Sequence, residues 1–231
     1  DWESVTLECW AMEHAFGGIQ GIVSTWAWVA GKVHFKFQDN EIQVDKNAGS
    51  KIRLAGEANM WYHIAYTSDE DSGELKLYVN GELVAEGAGG ANPENMEERR
   101  IGSEHNGRYL DGKIDEVRIY NRVLDDDEIV LSSAKEQLTL LGYHVTAVNH
   151  PQLALQHLQT ENFSVILADY EMPEMDGLEV IRQLKAEIPD VQGRADRRSL
   201  AIDRVGVKGI RYPITVETMQ GGHQAVDATF N

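Results

Sequence analysis

Cysteine is almost absent from the sequence, in which Cys9 is the single cysteine among 231 residues. One cysteine can form neither an internal disulfide nor a cysteine-based zinc site. The residues around Cys9 alternate between apolar and polar, as in a strand that is half buried. We therefore expect its thiol to behave as a small buried hydrophobic group.

Long apolar runs are missing as well. No stretch approaches the roughly 18–20 apolar residues that span a bilayer, so the sequence predicts no membrane span. The chain starts at Asp1 with neither an initiating methionine nor a signal peptide. This start indicates either processing or a piece of a longer protein.

Positive charge is scarce. Lys and Arg number 21 against 38 Asp and Glu, which gives a net charge of −17. Such a surface repels phosphate backbones, so nucleic acid is not an expected partner. Residues 125–191 carry 13 acidic and 3 basic side chains, whereas residues 192–231 carry 4 acidic and 6 basic ones. This change of sign indicates a composite chain.

Residues 5–124 have the pattern of an all-β segment, with no helical periodicity. Short runs alternate between apolar and polar residues, as in residues 5–10 and 32–37, and glycine-containing turns separate them. The dipeptide Asn80-Gly81 lies between two such runs and predicts a two-residue hairpin, because this turn needs positive φ at both positions. Many short strands with regular turns predict a sandwich or jelly roll.

Four motifs in this segment then carry a family resemblance. They are residues 61–67 (WYHIAYT), 75–81 (LKLYVNG), 100–102 (RIG) and 110–124 (LDGKIDEVRIYNRVL). Their order resembles that of the laminin-G-like, concanavalin-type jelly roll. The resemblance implies a β-sandwich over residues 1–124 that binds a glycan or a protein, often beside calcium. The family usually has one or two more strands at its start, so an open sheet edge and association through it are expected.

Asp115 is the first candidate ligand for calcium. On a regular strand it shares a face with Val117 and Ile119, which places its carboxylate at the core or its rim. A carboxylate there needs a partner. Either a metal ion or backbone amides with an arginine would meet this need.

Trp26 and Trp28 are candidate ligand-binding residues. They lie two positions apart and share one face if their segment is a strand. If exposed, they would form a stacking platform for sugar rings, and if buried, they would belong to the core. The histidines, among them His34 and His63, have no metal-ligand spacing and are interpreted as isolated surface or strand residues.

The pattern changes after residue 124. Apolar residues recur at helical spacing up to Gly142, which is placed to end a helix. The residues of this apolar stripe are Ile129, Leu131, Ala134, Leu138 and Leu141. A short strand at 145–148, a helix at 151–159 and an apolar strand at 163–168 are predicted next. This alternation is typical of an α/β unit. The predicted fold class is therefore a mainly β jelly-roll sandwich followed by an incomplete α/β segment.

Residues 169–177 (DYEMPEMDG) resemble the phosphoacceptor region of response-regulator receiver domains. The resemblance implies Asp169 as the phosphoacceptor, with Asp125, Asp126 and Asp169 holding Mg²⁺. The Ser/Thr and Lys-Pro elements of the family do not follow residue 189, and only two apolar residues precede the first acids. The receiver-like part is therefore expected to be incomplete, over residues 125–189.

Residues 190–231 resemble the N-terminal stretch of the type IB GTP cyclohydrolase family. The metal ligands and catalytic groups of that family lie further along its chain, so no catalytic residue is assigned here. An alternative interpretation takes residues 206–219 as a degenerate end of the receiver. Whether residues 190–231 fold is left open.

The chain thus resembles a mosaic of three pieces. The family patterns overlap at residues 123–129 and 188–191, which suggests recombination, an engineered fusion or a composite sequence. The leading hypothesis is a non-enzymatic binding module, with a phosphoacceptor receiver and a cyclohydrolase fragment as alternatives. The jelly roll suggests an extracellular or surface location and the other two pieces a cytoplasmic one, so the location is left open.

Overall fold

The computed structural model describes residues 1–25, 27–90, 92–104 and 107–161. Within these ranges the chain forms twelve β-strands and two α-helices. The strands are β1 (Ser4–Glu13), β2 (Ile19–Thr25), β3 (Val33–Gln38), β4 (Glu41–Lys46), β5 (Lys51–Ala55), β6 (Tyr62–Asp69), β7 (Glu74–Val79), β8 (Glu82–Ala88), β9 (Arg99–Ile101), β10 (Ser103–Glu104), β11 (Arg108–Tyr109) and β12 (Gly112–Tyr120). The helices are α1 (Asp126–Leu140) and α2 (Pro151–Thr160).

Ten of these strands form two antiparallel sheets. Sheet I has the order β12-β1-β6-β7-β8, and sheet II has the order β5-β4-β3-β2-β9. Strands β10 and β11 form a separate small hairpin. The expected jelly-roll sandwich is therefore confirmed. Its sheet edges are β12 and β8 in sheet I and β5 and β9 in sheet II, and association through one of them stays a prediction.

The apolar core lies between the two sheets. Sheet I contributes Leu7, Ile64 and Leu77, and sheet II contributes Phe35 and Val44, all with no exposed surface. Full burial of an apolar side chain of this size contributes about 1.5–3 kcal/mol. The alternation of residues 5–10 and 32–37 therefore predicts correctly which residues face inward.

Two local predictions are confirmed as well. Cys9 is a fully buried free cysteine, and burial raises the pKa of its thiol so that the neutral form persists. Asn80 and Gly81 both have positive φ, at 53° and 86°, and connect β7 to β8. Both features depend on neighbours along the chain, and a sequence pattern captures them for that reason.

Strand β12 belongs to the sandwich, since it pairs with β1 from Thr6↔Tyr120 to Glu13↔Gly112. A β-bulge interrupts this pairing, because two residues of β12 oppose the single residue between Glu8 and Trp10. Glu116 lies in the bulge with a φ of 49°. The bulge shifts the alternation along β12 by one residue.

Helix α1 covers the outer face of sheet I. Its N-cap Asp125 accepts a hydrogen bond from the Glu128 backbone, and Glu128 in turn accepts from the Asp125 backbone, which forms a capping box. Leu124 and Ile129 pack against Ala65 and Tyr78 of the sheet. This cover explains why polar residues on the outer face of β1 are buried.

The contact face of α1 differs from the predicted apolar stripe. Ala134 of that stripe is exposed, while Ser133 and Glu136 are buried. The reason is the polar patch below the helix, where Glu136 pairs with Arg118 at 2.7 Å and the Ser132 hydroxyl donates to Glu8 at 2.9 Å. The predicted helix and the burial of Ile129 are therefore confirmed, whereas the prediction of Ala134 as part of the buried face is wrong.

Two compact units divide the chain, Asp1–Ala147 and Val148–Asn231. Helix α1 belongs to the first unit, and the predicted limits at 124/125 and 189/190 stay a prediction. In the second unit α2 begins after the N-cap His150 as expected. Residues 145–148 form no strand with any described residue, so that predicted strand is wrong. The strand predicted at 163–168 lies outside the described residues.

Neither α1 nor α2 has the length and apolar content of a membrane-spanning helix.

Candidate functional site

Polar side chains line up on the outer face of sheet II. In β3, His34 and Lys36 alternate with the core residues Val33, Phe35 and Phe37, and in β4 the residue after Val44 is Asp45. His34 pairs with Asp45, and Asp45 pairs with Lys51 of β5, so the three residues form a row across the sheet. The Lys36 Nζ lies 2.9 Å from Asp45 Oδ2 in a buried ion pair.

The β10–β11 hairpin lies against one side of this row. A Cβ atom on Gly21 of β2 would stand 2.3 Å from the Ser103 carbonyl carbon, so only glycine permits this close approach. The approach brings Glu104 over the sheet. Its Oε1 lies 3.0 Å from His34 Nδ1 and accepts a hydrogen bond from Arg108 Nη1 at 2.5 Å.

A cavity of about 250 Å³ opens between these groups, and we name it the sheet II pocket. This volume is that of about eight water molecules, which suits a single small ring with its polar substituents. The residues that line it are Ile19, Trp28, His34, Lys36, Asp45, Lys51, Glu104 and Arg108.

Two carboxylates at the bottom of the sheet II pocket have an unused oxygen. Asp45 and Glu104 have relative exposures of 4% and 1%. Asp45 Oδ1 and Glu104 Oε2 are both buried without a hydrogen-bond partner among the described residues. Because a buried polar atom without a partner is costly, these two oxygens favour a ligand that donates hydrogen bonds.

The charge of Glu104 is fixed by its neighbours. Burial alone would raise the pKa of this carboxyl, but the hydrogen bond with His34 and the charges of His34 and Lys36 outweigh burial, and Arg108 adds a further hydrogen bond. The pKa of Glu104 therefore lies below its ordinary value. Glu104 is a charged acceptor at neutral pH.

Trp28 forms one wall of the sheet II pocket. It follows β2 in a loop, its ring centre lies 4.3 Å from that of His34, and the side chain is 41% exposed. Of the two alternatives considered for Trp28, burial in the core is wrong, and the ring is accessible. Trp26 lies outside the described residues.

Asp115 does not face the core, contrary to the expectation. The bulge at Glu116 changes the side to which β12 residues point, so Ile114 and Val117 pack on the core while Asp115 is exposed. Its carboxylate accepts a hydrogen bond from the Glu116 backbone at 2.9 Å. No group of three or more metal-ligating side chains occurs among the described residues, so calcium binding at Asp115 stays a prediction that rests on the resemblance.

The receiver-like acids have structural partners. Asp125 caps α1 and accepts from the Glu128 backbone at 2.8 Å, and Asp126 accepts a hydrogen bond from the Tyr78 hydroxyl at 2.7 Å. Both carboxylates would have to give up these bonds to hold Mg²⁺. Asp169 lies outside the described residues, so the magnesium site stays a prediction.

Most residues of the sheet II pocket were not predicted from the sequence. His34 and Lys36 alternate with the core phenylalanines of β3, and this alternation was a usable signal for their outward orientation. Glu104 and Arg108 gave no such signal, because only the folding of their hairpin over Gly21 brings them to β3. His34 is thus a buried member of a charged cluster and not an isolated residue.

An antiparallel sandwich of two five-stranded sheets, with a polar pocket on an outer face, is a jelly-roll module. The family model of the Concanavalin A-like lectin/glucanases superfamily matches residues 2–130, which is more than half of the chain. The chain belongs to this superfamily. The matched range includes all twelve strands of the described residues and the beginning of α1.

Two further family models match the rest of the chain. The response regulator receiver domain matches residues 122–192, and type I GTP cyclohydrolase folE2 matches residues 188–231. Both are partial, as the sequence predicted. The chain is therefore a mosaic of a jelly roll, a receiver-like part and a cyclohydrolase-like fragment.

Individual relatives agree with this division. GTP cyclohydrolase FolE2 of Janthinobacterium sp. (strain Marseille) is 58% identical over 41 residues, which are 18% of this chain and 15% of the relative. Response regulator receiver protein CpdR of Brucella abortus (strain 2308) is 38% identical over 68 residues, which are 29% of this chain and 57% of the relative. The chain thus spans less than two thirds of both relatives.

Solved structures resemble the sandwich. The CBM40 module of the IT-sialidase from Ruminococcus gnavus is 18% identical, with a TM-score of 0.48. The similarity covers 57% of this chain and 83% of that structure.

Proposed function

We propose that the jelly-roll module binds a glycan in the sheet II pocket. The observation that carries the proposal is the combination of an accessible Trp28 ring with two buried, unpartnered carboxylate oxygens, on Asp45 and Glu104. A sugar ring offers an apolar C–H face that stacks on an aromatic ring and hydroxyl groups that donate to carboxylates. Membership in a superfamily of lectins and glucanases supports this ligand class.

Each pocket group has a role in the proposed complex. Trp28 stacks on one face of the sugar and fixes its plane. Asp45 and Glu104 accept hydroxyl hydrogens, and their pairing with Lys36 and Arg108 holds the carboxylates in place. The rim remains in contact with solvent, which allows neighbouring sugars of a longer chain to extend outward.

The test is a glycan array followed by calorimetry on the full chain, with Trp28→Ala as the variant. We expect about a tenfold loss of affinity, because the lost stacking contributes on the order of 1 kcal/mol and the lost apolar contact adds to it. Trp61→Ala is the matched control, since Trp61 is 39% exposed and lies outside the sheet II pocket.

Three results would contradict the proposal. The array could give no bound glycan, both tryptophan variants could lose affinity equally, or the control alone could lose it. Binding of a protein that Trp28→Ala leaves intact would instead support the protein-ligand alternative elsewhere on the module.

Calcium assistance remains a separate hypothesis, derived from the family resemblance. Asp115 is not among the residues that line the sheet II pocket. The calorimetric titration is therefore run in calcium and in a chelator. Equal affinities would remove calcium from the proposed binding step.

We do not propose receiver-type phosphorylation as a function of the chain. The family match over residues 122–192 is compatible with it, but the partners of Asp125 and Asp126 compete with Mg²⁺. The cyclohydrolase match covers 15% of the first relative, and GTP turnover is not expected from such a fragment.

A further inference from the structure

We propose that the sheet II pocket selects an acidic sugar, with the ligand's carboxylate held by Lys51 and Arg108 at the pocket rim. This inference deepens the proposed glycan binding and rests on it. It names the chemical class of the ligand, a polysaccharide that contains uronic or sialic acid units, rather than a neutral one.

The lining of the sheet II pocket has an excess of positive charge. Three permanent cations, on Lys36, Lys51 and Arg108, face two carboxylates, on Asp45 and Glu104. The lining therefore carries at least one net positive charge, although the whole chain carries −17. A local reversal of sign in an acidic protein attracts an anion to this one place.

Lys51 differs from the other two cations of the pocket lining in its ion pairing. Lys36 is paired with Asp45, and Arg108 is paired with Glu104. Lys51 is exposed at the end of the row formed with His34 and Asp45, and no carboxylate of the described part of the chain lies within 4.0 Å of its Nζ. Its ammonium is therefore available to a ligand.

Hydrogen-bond donors and acceptors lie at different ends of the sheet II pocket. The buried end of the pocket presents acceptor oxygens, whereas the exposed rim presents the cations Lys51 and Arg108, with Arg108 44% exposed. A guanidinium has five N–H donors, and one contact with Glu104 leaves others for a second carboxylate. An acidic sugar fits this order, with hydroxyls inward and its carboxylate at the rim.

The experiment uses matched pairs of polysaccharides on the full chain. Polygalacturonate, hyaluronan and polysialic acid are each compared with the same polymer after chemical reduction of its carboxyl groups. We expect at least one native polymer to bind about five-fold more tightly than its reduced form, as befits a partly exposed ion pair. Lys51→Gln should reduce this difference, because one of the two cations that hold the carboxylate is lost.

Two further variants serve as controls. Lys51→Arg keeps the charge and should keep the preference. Lys135→Gln removes an exposed lysine from α1 and should change nothing, which excludes an effect of net charge alone. Raising the salt concentration from about 50 to 500 mM should weaken binding of the native polymer and leave binding of the reduced polymer unchanged.

The outcomes separate this inference from the proposed function. Equal binding of native and reduced polymers, sensitive to Trp28→Ala, would overturn the acidic preference and keep glycan binding. A preference that Lys51→Gln leaves at its full size would also overturn the inference. If neither form binds and the glycan array is empty, both the inference and the proposed function are wrong.

Discussion

At the scale of single residues, Glu13 is the side chain with the clearest link to pH. It lies at the end of β1, is 3% exposed, and accepts a hydrogen bond from Gln20 at 3.3 Å. Burial raises the pKa of Glu13 to about 7. The folded state therefore holds this proton more tightly than the unfolded chain does.

The free energy of unfolding should fall as pH rises from about 4.5 to 7, because Glu13 must become charged while buried. The loss is at most about 3 kcal/mol, from the size of the pKa change. Glu13→Gln should flatten this dependence and raise the melting temperature at pH 8. Melting curves from pH 4.5 to 8 measure this pH dependence. The control is Glu3→Gln, which replaces an exposed carboxylate. A variant that follows the wild-type curve would disprove this account.

Asp115 shows why the residue scale was the hardest to predict. Its expected orientation followed from regular alternation along β12, which is correct on either side of the bulge and wrong across it. A bulge depends on the pairing of β12 with β1, more than 100 residues away in the sequence. Trp28 was recognised as a candidate because two tryptophans two positions apart are a local signal, although the choice between core and surface required the fold.

At the scale of elements, the position of the β10–β11 hairpin depends on Gly21. An alanine at this position would place its Cβ within 2.4 Å of the Ser103 and Glu104 backbone. Gly21→Ala should therefore displace the hairpin, destabilise the protein by about 1–3 kcal/mol and weaken glycan binding. Chemical denaturation and calorimetry measure the two effects.

Gly17→Ala is the matched control for this experiment. Gly17 has nothing within 4 Å of the added Cβ, so its stability and binding should stay close to those of the wild type. Binding that is unchanged in Gly21→Ala would mean that the hairpin does not form the sheet II pocket.

Strands and turns were predictable at this scale because their signals are local. The alternation of apolar and polar residues predicted the core side of β1 and β3, and Asn80-Gly81 predicted the turn between β7 and β8. Whether an outer face is covered was not predictable, since it depends on α1 and the β10–β11 hairpin coming from distant parts of the chain. The same reason explains residues 145–148, which have a strand-like pattern and no described partner strand.

At the scale of the whole molecule, the first compact unit extends beyond the predicted sandwich. It runs from Asp1 to Ala147 and includes α1, whose Ile129 is fully buried against sheet I. Limited proteolysis of the full chain should therefore yield a resistant fragment that ends near Ala147, because cleavage is favoured between compact units. Mass spectrometry of the fragments measures its end. A resistant fragment that ends near residue 124 would show that α1 contributes little to the unit.

The pairing of β1 with β12 has a consequence for how the module responds to tension and to insertion. The first and last strands of the sandwich are antiparallel neighbours, and Thr6 opposes Tyr120. A force that separates these two ends loads their hydrogen bonds one after another, as in opening a zipper, so the sandwich has low mechanical resistance along this axis. Adjacent ends also allow a module to be spliced into a host chain as a side branch, with little disturbance of either partner.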